Sequence, residues 1–152
     1  MKSVKIPLIV TNAILVVIIL PSNLYWIFDT LRNLGNVNLA GIPFLILSYL
    51  ALIMISILSI IAILQLSKNK FNKVIWLSLI SFIVYIFAVI PNMLGYRISY
   101  GEIGYLSFFK TWFLGASVEG SAFLTFLLYL SPVQTFLLVL NLVLASLVSK
   151  IK

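Results

Sequence analysis

Hydrophobic positions along this chain do not alternate with polar ones. They run on for twenty or more residues and stop at small groups of charges. About 20 helical residues cross a hydrocarbon core about 30 Å thick, and four runs reach that length, at residues 7–28, 42–66, 74–94 and 122–148. Each is predicted to be an α-helix, because in lipid every backbone amide and carbonyl needs a partner within the chain, and the runs lack the two-residue alternation of barrel strands. The predicted fold class is an all-α integral membrane protein. It is a four-helix transmembrane bundle forming one domain over residues 1–152, with a short outer interfacial helix near residues 103–115. A five-span alternative would put a re-entrant turn at Pro132, bury Glu119 and move Lys150 and Lys152 to the outer side. A buried carboxylate and a reversed charge bias both count against it.

Polar residues inside the runs fall on stripes. In the third, Ser78, Ser81, Tyr85, Ala88 and Asn92 follow a three-four spacing and so share one narrow helix face. That face is expected to meet protein, whereas Ile80 and Ile83 are expected to meet lipid. In the second run Ser48, Ala51, Ser59 and Ala62 make a face of small side chains with Ser56 at its margin, a surface that lets another helix approach closely. The first run gathers Thr11, Asn12, Ser22 and Asn23 on about a third of its circumference. In the fourth, Gln134, Asn141 and Ala145 lie on one side and Thr125, Pro132 and Thr135 on another. Asn12 and Asn141 stand at matching depth, so a hydrogen bond between the first and last helices is expected. The other reading of the pair is a polar pocket for a ligand head group.

Two octapeptides echo one another: Ile19 to Trp26 reads ILPSNLYW and Val89 to Tyr96 reads VIPNMLGY. Pro21 and Pro91 each remove an amide donor and free the carbonyl four residues earlier, those of Val17 and Phe87. The echo is read as a common membrane-helix feature rather than an ancient duplication, because Pro43 and Pro132 do not correspond in the same way.

Composition agrees with the pattern: 63% hydrophobic and 9% charged residues leave too little polar surface for a water-soluble domain. Charge then orients the spans. Lys2, Lys5, Lys68, Lys70, Lys73, Lys150 and Lys152 fall on one side, while Arg32, Arg97 and Lys110 share the other with Asp29, Glu102 and Glu119. By the positive-inside rule, the first side is cytoplasmic and both termini lie there, in the cell (cytoplasmic) membrane. The net charge of +7 is thus a topology signal, and nucleic acid is not an expected partner. The stretch after Lys5 resembles a signal peptide in its charge and hydrophobicity. No small-x-small cleavage site follows, however, so the segment is expected to stay in the mature chain.

The chain has no histidine and no cysteine. It therefore offers none of the usual ligands for haem, iron-sulfur clusters, copper or catalytic zinc, and no disulfide. No metal, cofactor or catalytic residue is expected. Glu119 reads as a cap at the start of the fourth helix, favoured there by the helix dipole. The segment between the third and fourth runs is rich in aromatics, with Tyr105, Phe108, Phe109 and Trp112 on one helix face opposite Ser107, Lys110 and Thr111. This pattern suits a helix lying in the membrane interface, as a lipid anchor or as a docking surface for a neighbouring subunit.

Absence of ligands and of buried acids disfavours independent chemistry. The functional expectation is a non-catalytic accessory subunit of a larger membrane complex, such as a respiratory or other electron-transfer assembly. Its partners would be the bilayer and other membrane subunits. The alternatives are a small transporter, channel or lipid- or quinone-handling protein and, more remotely, a self-associating immunity or holin-like protein.

Overall fold

The protein is described by a computed structural model covering residues 2–36, 38–100, 108, 112 and 122–149. The described chain is all-helical, with four long helices: α1 (Lys2–Arg32), α2 (Ile42–Ser67), α3 (Phe71–Tyr100) and α4 (Ala122–Ser149). Short 3-10 turns at Leu34–Asn36 and Leu39–Gly41 link α1 to α2. Three segments are long and apolar enough to cross a membrane: Val4–Arg32, Leu39–Ser67 and Phe71–Ser99. In α4 the described apolar stretch is Pro132–Val148. The helix runs unbroken through Pro132, which excludes a re-entrant turn there. The interfacial helix expected near 103–115, with Tyr105 and Phe109, and the expected cap at Glu119 lie outside the described residues, as does the side chain of Thr125.

Each helix buries a stripe spaced alternately by three and four residues. On α3 the stripe passes through Phe71, Val74, Ser78, Ser81, Tyr85, Ala88, Asn92, Gly95 and Ser99, with Val89 buried beside it. On α1 it passes through Leu8, Asn12, Leu15, Ile19 and Ser22, and on α4 through Gln134, Leu138, Asn141, Ala145 and Val148. A mean spacing of 3.5 keeps a seam facing its neighbours along the full length of a helix. Consecutive helices pack on one another, and α4 closes the arrangement by meeting both α1 and α3. Neighbours run in opposite directions, so the start of α1, the end of α2, the start of α3 and the end of α4 share one apolar cluster of Leu8, Ala62, Leu66, Phe71, Val74, Ala145 and Val148. A second cluster lies farther along the bundle and contains Leu15, Ile19, Leu52, Ile55, Tyr85, Ala88, Leu137 and Leu138.

The outward positions are large and aliphatic or aromatic. Val17, Phe28, Trp76, Phe87 and Phe136 are each about two-thirds exposed, as is Ile6. Ile80 and Ile83, off the polar stripe of α3, are also exposed. An apolar surface of this extent is compatible with a protein embedded in a membrane, where lipid rather than water covers it.

The two described connections are built by different means. Between α2 and α3 the chain turns in three residues. Lys68 caps α2, the amide of Asn69 donates to the Leu66 carbonyl at 3.1 Å and the amide of Lys70 donates to the Gln65 carbonyl at 2.9 Å. This double bond pattern closes a helix end with one left-handed residue. Asn69 takes that place at φ 55°, a conformation asparagine tolerates better than most side chains. Its side-chain oxygen also accepts from Lys5 Nζ at 2.9 Å, tying the turn to the start of α1.

At the other end, Asn38 caps the second 3-10 turn by accepting from the Ala40 amide at 3.0 Å. Its own amide donates to the Ser99 carbonyl at 3.3 Å. Here α2 and α3 meet backbone to backbone. A methyl added to Gly41 would sit 2.6 Å from the Gly95 carbonyl oxygen, and one added to Gly95 would sit 2.8 Å from the Leu45 amide nitrogen.

Those distances yield a stability prediction. Gly95→Ala should lower unfolding free energy in detergent by about 1–3 kcal/mol, the usual effect of overpacking. Gly35→Ala, where nothing lies within 4 Å of the added carbon, should change it by no more than about 0.5 kcal/mol. Equal tolerance of both in thermal unfolding would mean that the helices are farther apart than described.

Candidate functional site

Between the two apolar clusters every helix contributes polar groups. Thr11 and Asn12 come from α1, Ser56 and Ser59 from α2, Ser78 and Ser81 from α3 and Asn141 from α4; each is at most 4% exposed. The order along each helix sets this layer, because Asn12 lies between Leu8 and Leu15, Ser78 between Val74 and Tyr85, and Asn141 between Leu138 and Ala145.

At its centre, Asn12 Nδ2 donates to Asn141 Oδ1 at 2.8 Å, and Asn141 Nδ2 donates back to Asn12 Oδ1 at 3.3 Å. Asn141 Nδ2 also donates to Ser78 Oγ at 3.2 Å, while Asn12 Nδ2 reaches the Leu8 carbonyl at 2.8 Å. The reciprocal amide pair joins α1 to α4, the bond expected from the matching depths of the two asparagines, and Ser78 adds α3. Thr11 turns back on its own helix, donating to the Pro7 carbonyl at 2.8 Å. Such back-bonding satisfies a hydroxyl without binding another helix.

The Ser56 and Ser59 hydroxyls are buried without a hydrogen-bond partner among the described residues. Ser56 was expected at the margin of the small face of α2, yet it is only 1% exposed, while Ala51 is half-buried. The physical reason is that α2 packs on both α1 and α3, so its buried arc is wider than a single stripe and takes in Tyr49, Leu52 and Ser56 beside Ser48, Ile55, Ser59 and Ala62.

A second polar tier lies beyond the cluster around Tyr85. Ser48 Oγ donates to the Ala88 carbonyl at 2.9 Å and accepts from Asn92 Nδ2 at 3.1 Å, which binds α2 to α3. On α1, Ser22 Oγ donates to the Ile18 carbonyl at 2.7 Å and Asn23 Nδ2 to the Ile19 carbonyl at 2.8 Å. Beside each proline a carbonyl takes a side-chain hydrogen bond, Ile18 from Ser22 on the same helix and Ala88 from Ser48 on the neighbouring one; the carbonyls that the prolines free are the adjacent ones, Val17 and Phe87. Both α1 and α3 continue as α-helix through their prolines.

Tyr85 marks the third feature. Its hydroxyl lies 2.5 Å from Thr135 Oγ1 and accepts from Trp112 Nε1 at 3.0 Å. Trp112 stacks with Phe108 at a centroid distance of 5.7 Å, and Phe108 lies 6.5 Å from Tyr96. Phe108 is buried and Trp112 packs against the core cluster. Sequence reading placed these two rings in the interface or at a docking surface; here they fill space on the bundle itself. A ring in contact with the Tyr85 hydroxyl gains a hydrogen bond that lipid does not offer, and no signal in the segment's own periodicity distinguishes the two settings.

Of the residues expected to pack helices, the structure connects Asn12, Asn141 and Ser78 in one group, Ser48 and Asn92 in another, and Tyr85 with Thr135 and Trp112 in a third. Ser81, Ser59 and Ala62 are buried beside them. Compared with protein-family models, with curated proteins and with solved structures, the chain matches none.

A double-mutant cycle at Asn12 and Asn141 measures the central pair. Replacing each with alanine, singly and together, should give a coupling energy of about 0.6 kcal/mol and no more than about 1.7, the range for interhelical hydrogen bonds in membranes. Additive losses would place the two amides in separate environments.

Proposed function

We propose that this chain is a four-span membrane protein working as a non-catalytic, structural subunit of a membrane complex, a respiratory or other electron-transfer assembly being one such setting. The observation that carries this reading is the use made of the buried polar side chains. Asn12, Asn141, Ser78 and Ser48 spend their hydrogen bonds on one another, on Asn92 Nδ2 and on backbone carbonyls, as befits groups that hold helices in register. With no histidine or cysteine, redox centres and catalytic groups fall to partners. Those partners meet the aliphatic outer faces, since the small and polar faces are turned inward. In this reading α4 is the fourth span, and the end carrying Lys5, Lys68, Lys70 and Lys73 faces the cytoplasm in keeping with the positive-inside rule.

A second reading, a small transporter or lipid-handling protein, draws support from Ser56 Oγ, Ser59 Oγ and Asn92 Oδ1, which are buried without partners among the described residues. Unpaired polar atoms inside a bundle suit a polar path better than a sealed scaffold.

Orientation is tested by single-cysteine labelling, which a cysteine-free chain makes unambiguous. Asn72→Cys should be shielded from an impermeant thiol reagent in intact cells, while Gly35→Cys should react. The opposite pattern, or labelling at both positions, would overturn the topology. The role is tested by gentle extraction of a tagged chain from native membranes, followed by native mass spectrometry and absorbance spectra of the same sample. Larger subunits in fixed stoichiometry are expected; a lone chain that transports or conducts after reconstitution would sink the subunit reading and favour the second.

A further inference from the structure

Where the last two turns of α2 meet the first three turns of α3, the lysine-rich end of the bundle carries an open groove of about 350 Å³ lined by Ile61, Gln65, Lys73, Trp76, Leu77 and Ile80. Its chemistry is graded along the helix axes. Lys73 and Gln65 stand at the end near the turn, and Ile61, Leu77 and Ile80 form the deeper wall. From Lys73 to Ile80 the rise is about 10 Å at 1.5 Å per residue. Trp76, 65% exposed, stands between them at the level where tryptophan favours the boundary of a bilayer. Gln65 Oε1 is covered and has no hydrogen-bond partner among the described residues, so it accepts from an incoming donor once the side chain turns toward the groove.

The sign of the occupant follows from charge. Lys73 belongs to the groove, Lys68 and Lys70 are exposed in the adjoining turn, and Lys5 is bonded to Asn69 of that turn. The sequence from Thr30 to Gly101 contains no acidic residue. An amphipathic molecule with an anionic head and a hydrocarbon tail matches both the charge and the gradient, whereas a free anion would leave the apolar wall uncovered.

We propose that this groove seats one anionic phospholipid. Its phosphate rests against Lys73 Nζ, a headgroup hydroxyl donates to Gln65 Oε1, and the first part of an acyl chain lies along Ile61, Leu77 and Ile80. The site rests on the membrane reading but not on the subunit role, so a chain that proves to work alone leaves it standing.

Phosphatidylglycerol supplies the phosphate and hydroxyl together and is the probe. Delipidated protein in neutral detergent is titrated with phosphatidylglycerol or with phosphatidylcholine of the same chain length, and bound lipid is counted by native mass spectrometry. The first phosphatidylglycerol should bind about fivefold more tightly than phosphatidylcholine, the factor one lysine contributes near an anionic headgroup. Lys73→Gln should abolish that preference and Gln65→Leu should reduce it, with helical circular dichroism unchanged. Lys68→Gln, off the groove, should keep it. A preference that survives Lys73→Gln, or one that Lys68→Gln removes equally, would replace the seat with diffuse attraction to a charged end and overturn the proposal.

Discussion

The bundle depends on how a buried carboxamide is satisfied away from water. An asparagine side chain brings two donors and two acceptor sites into a medium that offers none in return. Asn12 and Asn141 answer one another, and each takes one further partner, the Leu8 carbonyl and Ser78. In lipid the apolar surfaces of helices gain little by meeting, because acyl chains cover them equally well. Net energy from such a bond is small. Its effect on register is large, because sliding α1 or α4 by one turn would leave the same amide unpaired between Leu8 and Leu15. Buried asparagine is known to set alignment in this way where helices pack through three-four seams.

Around that layer the remaining contacts become intelligible. Apolar clusters lie on either side of it, and close approach of α2 to α3 at Gly41 and Gly95 brings Ser48 within reach of the Ala88 carbonyl. Tyr85 then anchors α4 through Thr135 and receives the indole of Trp112. The α2–α3 turn, with Asn69 in the left-handed region and bonded to Lys5, sets the lysine-rich end. Each element is thus positioned by a hydrogen bond that spans two helices, and aliphatic residues fill the space between.

Much of this is legible in the sequence because helical period and polarity coincide. Ser78, Ser81, Tyr85, Ala88 and Asn92 share a face on any α-helix, and all five are buried. The equal depth of Asn12 and Asn141 needs only span lengths and alternating directions. What sequence reading misses depends on contacts between elements. Ser56 reads as marginal until α2 is seen to pack on two neighbours, and Phe108 and Trp112 read as interfacial because amphipathic periodicity does not say whether lipid or the chain's own core receives the apolar face. Helix ends also run past the apolar stretches: α1 continues to Arg32 and α3 to Tyr100, since local hydrogen bonding, not hydropathy, ends a helix.

The central claim is that one buried amide pair within a single chain aligns the helices. Its most direct test is solid-state NMR of the protein in bilayers, with asparagine labelled in nitrogen and carbon and the labelled chain diluted into unlabelled chain. A through-space correlation between the side-chain nitrogen of Asn12 and the side-chain carbonyl carbon of Asn141, with both amides slow to exchange in deuterated buffer, is the predicted result. Resolved signals for both residues with no correlation between them, or with rapid exchange at either, would contradict it.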